Sequence, residues 1–438
     1  MKKPIKKIFS LLGLFMCFDA SYAAQAVNVE YIHNLIRQKW DIDISYANVS
    51  QKHNIANMKY LLTAIDVANE KLNGDKTTDY GNGKFATLQA VDTIATNTAI
   101  ETLIQASAIE EPSTGGYLVL RTTKTDYFYV GIYAGGTFTI DWGDGTTETI
   151  EQEAIDFWST YPIWHDYDDY AEYTITISGL ATEYISLTDS DDIRMNITNT
   201  LSFLDPDSWE GAPVLETIEG DVGKMFPVAP DGTKPTFSSM FEACYSLTNI
   251  HADLFKSAKA PTTGMFISTF QSTNLNSVPE TLFHNIRNSA DSMFKSTFNL
   301  SNLPEIPANL FITIKNPAND LFYGTFANNI KLKTIPDNLF SGLTDFAPGI
   351  FCGTFNNVSK LQSIPENLFN PALKNATPQD KSLDRTFYIC RNLTGDSAKI
   401  DGEYLYDIWP NATTAQVSRM YQGATGLSDY ANIPAAWK

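Results

Sequence analysis

The side chains that could do chemistry in this chain are few and mostly acidic. Asp141 and Asp144 bracket Trp142-Gly143 in the run DWGDGT. Hard carboxylates can ligate calcium, but Asp144-Gly145 between alternating strands is also what a solvated hairpin turn requires, and turn chemistry is the stronger reading. His165-Asp166 with Asp168-Asp169 is the nearest approach to an acid–base cluster. In a loop of β structure it serves the fold or the surface. Asp189-Ser190-Asp191-Asp192 reads as a solvated loop. The five histidines, His33, His53, His165, His251 and His284, fall on different expected elements. There is no G-x-S-x-G elbow, no H-E-x-x-H and no Walker loop. The carboxylate separation that glycoside hydrolysis needs is not visible in a sequence. The expectation is a non-enzyme, without catalytic or metal-ligating residues and without a cofactor.

Beyond Cys17, the chain holds Cys244, Cys352 and Cys390, an odd number. Cys244 and Cys390 occupy one slot of a repeated phrase, five copies apart. At ~4.8 Å per copy that is about 24 Å, far beyond the roughly 7 Å Cα limit for a disulfide. Cys352 and Cys390 lie in adjacent copies, where a bridge stays open. Buried small residues are the stronger reading for all three. No Cys-x-x-Cys or paired-His spacing points to metal.

The elements that carry these residues differ along the chain. MKKPIKKIFSLLGLFMCFDASYA has a basic start (Lys2, Lys3, Lys6, Lys7), an apolar stretch and a Ser21-Tyr22-Ala23 ending, the form of a secretory signal peptide. Its removal takes four Lys and one Asp and moves the net charge from −19 to −22. An acidic chain of this kind is expected to repel nucleic acid and anionic lipid. No later segment reaches 18 consecutive apolar residues, so no membrane span is expected in the mature chain. Residues 24–112 carry helical spacing, as in Met58, Leu61, Leu62 and Ile65, then Leu88, Val91, Ile94, Ile100 and Leu103. Glu111-Pro112-Ser113-Thr114-Gly115-Gly116 breaks the pattern.

From Tyr117 the period becomes 2, in YLVLRT, DYFYVGIY, GTFTIDWGDGTTETI and AEYTITISGL. WGDGT, with His165-Asp166-Tyr167 and YTITISG downstream, resembles the PKD-type immunoglobulin-like β-sandwich. The resemblance implies a sandwich over 113–188 with Trp142 in its core. The insert EQEAIDFWSTYPIW and the short length depart from the pattern.

The second half repeats one phrase. Copies align on Phe241, Phe270, Phe298, Phe326, Phe355 and Phe387, with a worn copy at Tyr421, at spacings of 29, 28, 28, 29, 32 and 34 residues. The unit reads [MLI]-F-x-x-[TM]-F, a polar stretch, then L-x-x-[IV]-P-x-x-L-F. Units of this size cannot close a core alone, and stacking lines Phe on Phe and Leu on Leu. Met293/Thr297 and Phe294/Phe298 pair at i, i+4, which predicts helical or 3-10 segments. The L-x-x-I-P piece predicts one short strand per copy, ended by Pro279, Pro307, Pro336 or Pro365. MFEACYSL resembles the M-F-x-x-C-x-x-L core of BspA-type leucine-rich repeats, a family of bacterial surface proteins, through Met240, Phe241, Cys244 and Leu247. Later copies carry Thr273, Ser301, Asn329, Val358 and Cys390 in the cysteine slot. The resemblance implies a leucine-rich-repeat-type solenoid over 189–438, with Leu215 to Phe226 and the C-terminal residues as caps.

The expected fold class is therefore multidomain α and β: signal peptide (1–23), helical region (24–112), immunoglobulin-like sandwich (113–188) and solenoid (189–438). The expected location is outside the cytoplasm, in the extracellular space, at the cell surface or in the periplasm. Two functional classes stay open. One is an adhesin-like interaction protein that binds a protein or glycan; the other is a self-associating structural surface component. Period-2 alternation turns the residue before each inward Ile or Val outward. The candidate binding strip is thus Asn249, Ser277, Glu305, Thr334 and Ser363. Exported protein should begin near Ala24, and N-terminal sequencing that returned Met1 from a secreted fraction would defeat the export reading.

Overall fold

Strands form where apolar residues alternate, and their buried faces meet as two sheets. The computed structural model describes residues 115–155, 162–187, 198–205 and 211–438. The expected signal peptide and helical region, and the Asp189–Asp192 loop, lie outside the described residues. In chain order come β1 (Gly116–Thr122), β2 (Thr125–Ile132), β3 (Gly135–Asp141), β4 (Thr147–Gln152), β5 (Ile163–Ala171), β6 (Thr174–Glu183), β7 (Leu201–Ser202), β8 (Leu215–Gly220) and β9 (Asn249–Ile250). One sheet has the order β4-β3-β6-β1-β8-β9 and the other β5-β2-β7. Leu118, Leu120, Phe138, Ile140, Ile175 and Ile177 of the first face Phe128 and Val130 of the second within one core. Trp142 is buried as expected, and its carbonyl accepts from the Tyr167 hydroxyl at 3.0 Å.

Both sheets run on into the repeats. β9 lies parallel to β8, with Thr217 opposite Asn249 and Ile218 opposite Ile250. On the other layer, the Phe203 amide donates to Met240 O at 2.9 Å and the Ser202 hydroxyl to Ser239 O at 3.1 Å. Residues Ser113–Lys438 form one compact unit, whose buried side chains extend from Leu118 to Trp437.

The expected α and β architecture with a leucine-rich-repeat-type solenoid does not hold. Among the described residues the chain is mainly β, with eleven strands against three four-residue helices, α1 (Val222–Met225), α2 (Leu405–Ile408) and α3 (Thr414–Val417). The F-x-x-T-F segments are neither helix nor strand but chains of turns. In one copy Ile267, Thr269 and Gln271 donate to carbonyls three residues back (Gly264, Phe266, Ser268). The amides between them, Phe266, Ser268 and Phe270, donate to Met293, Lys295 and Thr297 of the next copy at 2.9–3.0 Å. Every fourth residue is left-handed, as at Gly264 (φ 69°), Ser268 (53°) and Ser272 (59°), and again at Asp320, Gly324 and Asn328. A left-handed residue interrupts helix and strand alike. A four-residue repeat of turns nevertheless puts i and i+4 on one face, so the spacing imitates a helix. Of the expected L-x-x-I-P strands, only Asn249–Ile250 is a regular one among the described residues.

Three columns of stacked rings fill the interior. Phe203, Phe241, Phe270, Phe298, Phe326, Phe355, Phe387, Tyr421 and Trp437 succeed one another with centroids 5.4–6.4 Å apart and planes within 17°. Phe237, Phe266, Phe294, Phe322 and Phe351 make a second column at 5.6–6.2 Å. The third, Phe255, Phe283, Phe311, Phe340 and Phe369, meets the second at steep angles, as at Phe255–Phe266 (4.8 Å, 67°). Each copy is also tied back to its predecessor by a buried threonine. Thr269, Thr297, Thr325, Thr354 and Thr386 donate to Phe237, Phe266, Phe294, Phe322 and Phe351 carbonyls at 2.8–3.1 Å.

Phe298 is fully buried between Phe270 and Phe326. Phe298→Ala should therefore cost about 3–5 kcal/mol. Urea unfolding followed by tryptophan fluorescence and circular dichroism should show a lowered midpoint. An unchanged curve would refute the column as a stabilising unit.

Candidate functional site

The candidate strip is built by alternation about a buried aliphatic. Ile250, Val278, Ile306 and Ile335 are buried and Ile364 is half-buried, while Asn249, Ser277, Glu305, Thr334 and Ser363 are all exposed. Leu247, Leu275, Leu303, Leu332 and Leu361, three residues earlier in each copy, anchor the same segment in the core. Backbone bonds hold neighbouring copies in register. The Asn276 amide donates to Thr248 O at 2.9 Å, Gln362 to Lys333 O at 3.0 Å and Thr394 to Gln362 O at 2.9 Å. Thr248, Asn276, Lys333 and Gln362 stand one position before members of the strip, so the structure brings the strip residues onto one face at equivalent places in successive copies. The exposed carboxylates of Glu280, Asp337 and Glu366, each following a proline, run beside it.

The acidic turn of WGDGT is built as a turn. Asp141 Oδ1 accepts from the Gly143 amide at 3.0 Å, and Asp144 Oδ1 from the Thr146 amide at 2.8 Å and hydroxyl at 2.6 Å. Asp144 Oδ2 meets His165 Nε2 at 2.8 Å, and the His165 ring stacks on Trp142 at 4.6 Å and 6°. The Thr146 hydroxyl, with His165 behind it, holds the Asp144 carboxyl down at about 2. Strand alternation turns exposed Asp166 and Asp168 to the face opposite His165, so these three side chains do not converge. Among the described residues no group of three or more His, Cys, Asp and Glu could hold a metal ion.

Cys244, Cys352 and Cys390 are free and buried, which answers the open question of a Cys352–Cys390 bridge. Burial pushes the Cys352 and Cys390 thiols up to about 12, so neither is a ready nucleophile. Cys390 Sγ donates to Phe355 O at 3.0 Å and Cys352 Sγ faces Asp384 Oδ2 at 3.9 Å. Asp384 is 6% exposed and lies 3.7 Å from Arg385 Nε, and burial raises its carboxyl above the usual range. This charged group in the turn wall was not visible in the sequence, because it needs the register of Cys352 against Asp384, 32 residues on.

Among the described residues no helix is long and apolar enough to cross a membrane. Comparison with protein-family models, with curated proteins and with solved structures finds no match.

The depressed Asp144 carboxyl makes a pH prediction. Its ionisation stabilises the fold fully above about pH 4, and that contribution is lost as pH falls through about 2. Thr146→Val should raise the Asp144 pKa toward the ordinary carboxylate value and flatten that acid-limb contribution. A carboxyl-carbon NMR titration that shows no movement would remove the Thr146 hydroxyl as the main cause.

Proposed function

We propose that this chain is an exported, adhesin-like interaction protein that meets a protein or glycan partner at a cell surface. The observation that carries the reading is the strip of Asn249, Ser277, Glu305, Thr334 and Ser363, five exposed residues at equivalent positions of consecutive copies. A rigid, buried core behind an aligned polar column offers a partner a preordered surface, which lowers the entropic cost of binding. The signal-peptide form of the first 23 residues and the likeness of MFEACYSL to BspA-type repeats support the same reading. Turn-bonded carboxylates at Asp141 and Asp144 and high-pKa thiols at Cys352 and Cys390 leave these groups committed to structure.

The test replaces Ser277, Thr334 and Ser363 together with Tyr, which adds bulk and no charge. Pull-down of surface extracts by the wild type, followed by titration of the captured component, should show at least about tenfold weaker binding for the triple variant, the loss of ~1.4 kcal/mol. An unchanged melting curve would show that the fold is kept. Wild-type binding strength in a folded triple variant would exclude the strip. Self-association in light scattering with no captured component would favour the structural-component reading instead.

A further inference from the structure

Charge is distributed unevenly over a chain whose net charge is −19. Residues 115–187 hold twelve Asp and Glu against two Lys and Arg, whereas residues 291–394 hold eight against nine. Within the second region, Lys331, Lys333, Lys360 and Arg391 are all exposed. The backbone register that joins Lys333 to Gln362 and Gln362 to Thr394 places Lys331 and Lys360 at equivalent positions of adjacent copies. Arg391 belongs to the next copy, one position off that column. Adjacent copies stand about one strand spacing apart, ~4.8 Å. Four cations therefore line one corner over three copies. Among the described residues none of the four is held in an ion pair.

The acids of this region lie mostly elsewhere. Asp320 and Asp384 are on the turn wall, where they interact with Lys295, Lys381, Arg385 and Arg419. Asp337 and Glu366 stand three residues beyond Thr334 and Ser363, after the prolines, and Glu305 holds the strip position one copy before Thr334. The cationic corner instead borders Thr334 and Ser363, two members of the strip, and Gln362, all exposed. Unpaired cations in a row beside hydroxyl and amide groups suit a ligand that carries repeated anions and many hydroxyls on one extended chain. The overall negative charge does not forbid it, because fields from the acidic sheets are screened beyond ~8 Å at physiological salt.

Resting on the interaction reading above, we infer that the partner is an acidic polysaccharide, carrying uronate or sulfate groups, seated along Lys331, Lys333, Lys360 and Arg391 with Thr334 and Ser363 beside them. A protein partner is disfavoured at this corner because it presents a row of exposed polar and charged side chains, with Ile330 the one exposed large apolar residue among them.

The test is titration of wild type with polygalacturonate, dextran sulfate, neutral dextran and poly-glutamate. Binding to one of the first two, weakened by salt and absent for neutral dextran, is expected, and which one binds identifies the anion. The quadruple variant Lys331→Ser, Lys333→Ser, Lys360→Ser, Arg391→Ser should keep its melting temperature, since all four side chains are exposed. It should lose on the order of tenfold or more in affinity. No binding to either polyanion, stronger binding to poly-glutamate, or equal binding by the quadruple variant would each overturn the assignment. Failure here with capture of a surface component that the Tyr triple variant loses would reject the polysaccharide alone. Failure of both would reject the interaction reading itself.

Discussion

The repeats depend on finding an acceptor for every amide of a chain that turns once every four residues. Alternate amides solve this in two directions, inward to the carbonyl three residues back and onward to the next copy, as at Thr269→Phe266 and Phe270→Thr297. The arrangement requires a left-handed residue at each fourth position, which costs about 1–2 kcal/mol wherever the residue is not glycine. Leu300 and Ile389 sit in that conformation although neither has a local reason to adopt it. The ring columns and the buried threonines offset that cost. The stacking along each column and the threonine bonds act between copies, so the local strain is compensated non-locally.

What could be read from the sequence follows from which signals survive without register. The recurring Phe and Leu, the buried Trp142 and the outward strip needed only one copy's alternation, and all occupy the expected environments. The four-residue turn period was read as helix because i, i+4 pairing is common to both. A signal for the turns was nevertheless present. Asp320-Gly324-Asn328 and Gly349-Gly353-Asn357 place residue types that tolerate left-handed φ at a spacing of four. Lys381, Arg385 and Ile389 hide it in the next copy, where stacking rather than local preference sets the conformation. The cationic corner was illegible for another reason. Asn274 and Asn302 occupy its slot in earlier copies, and only the 362–333 and 394–362 backbone bonds reveal that Lys331 and Lys360 align.

The acidic sheets and the near-neutral repeats share a core but present different surfaces. Concentrating carboxylates in residues 115–187 keeps the chain far from neutrality, which favours solubility. It also leaves the exposed strip free to carry either sign locally. Glu305 makes one copy of the strip anionic, and Lys333 sets a cation beside the strip one copy later. A partner that spans several copies would therefore be held in one direction along the strip and not its reverse.

A stack of open copies would end in unpaired amides and exposed rings at both termini, an invitation to end-to-end association. Each end is closed by a different device. At the N-terminal end β8 pairs on one side with β1 and on the other with β9, so the first copy's strand segment completes a sheet. Phe203, just beyond β7, begins the long ring column on the opposite layer. At the C-terminal end Tyr421 donates its amide to Trp437 O at 3.0 Å, and Trp437 covers its ring at 6.4 Å. Asp429, 5% exposed, fixes this closing segment by accepting from the Ser397 amide and hydroxyl and from the Tyr406 hydroxyl at 2.6–3.1 Å. At both ends of the described array, terminal backbone groups are paired and terminal rings covered by neighbouring segments of the same chain. The stacking contacts are thus satisfied within the chain, while the strip and the cationic corner stay exposed beside them.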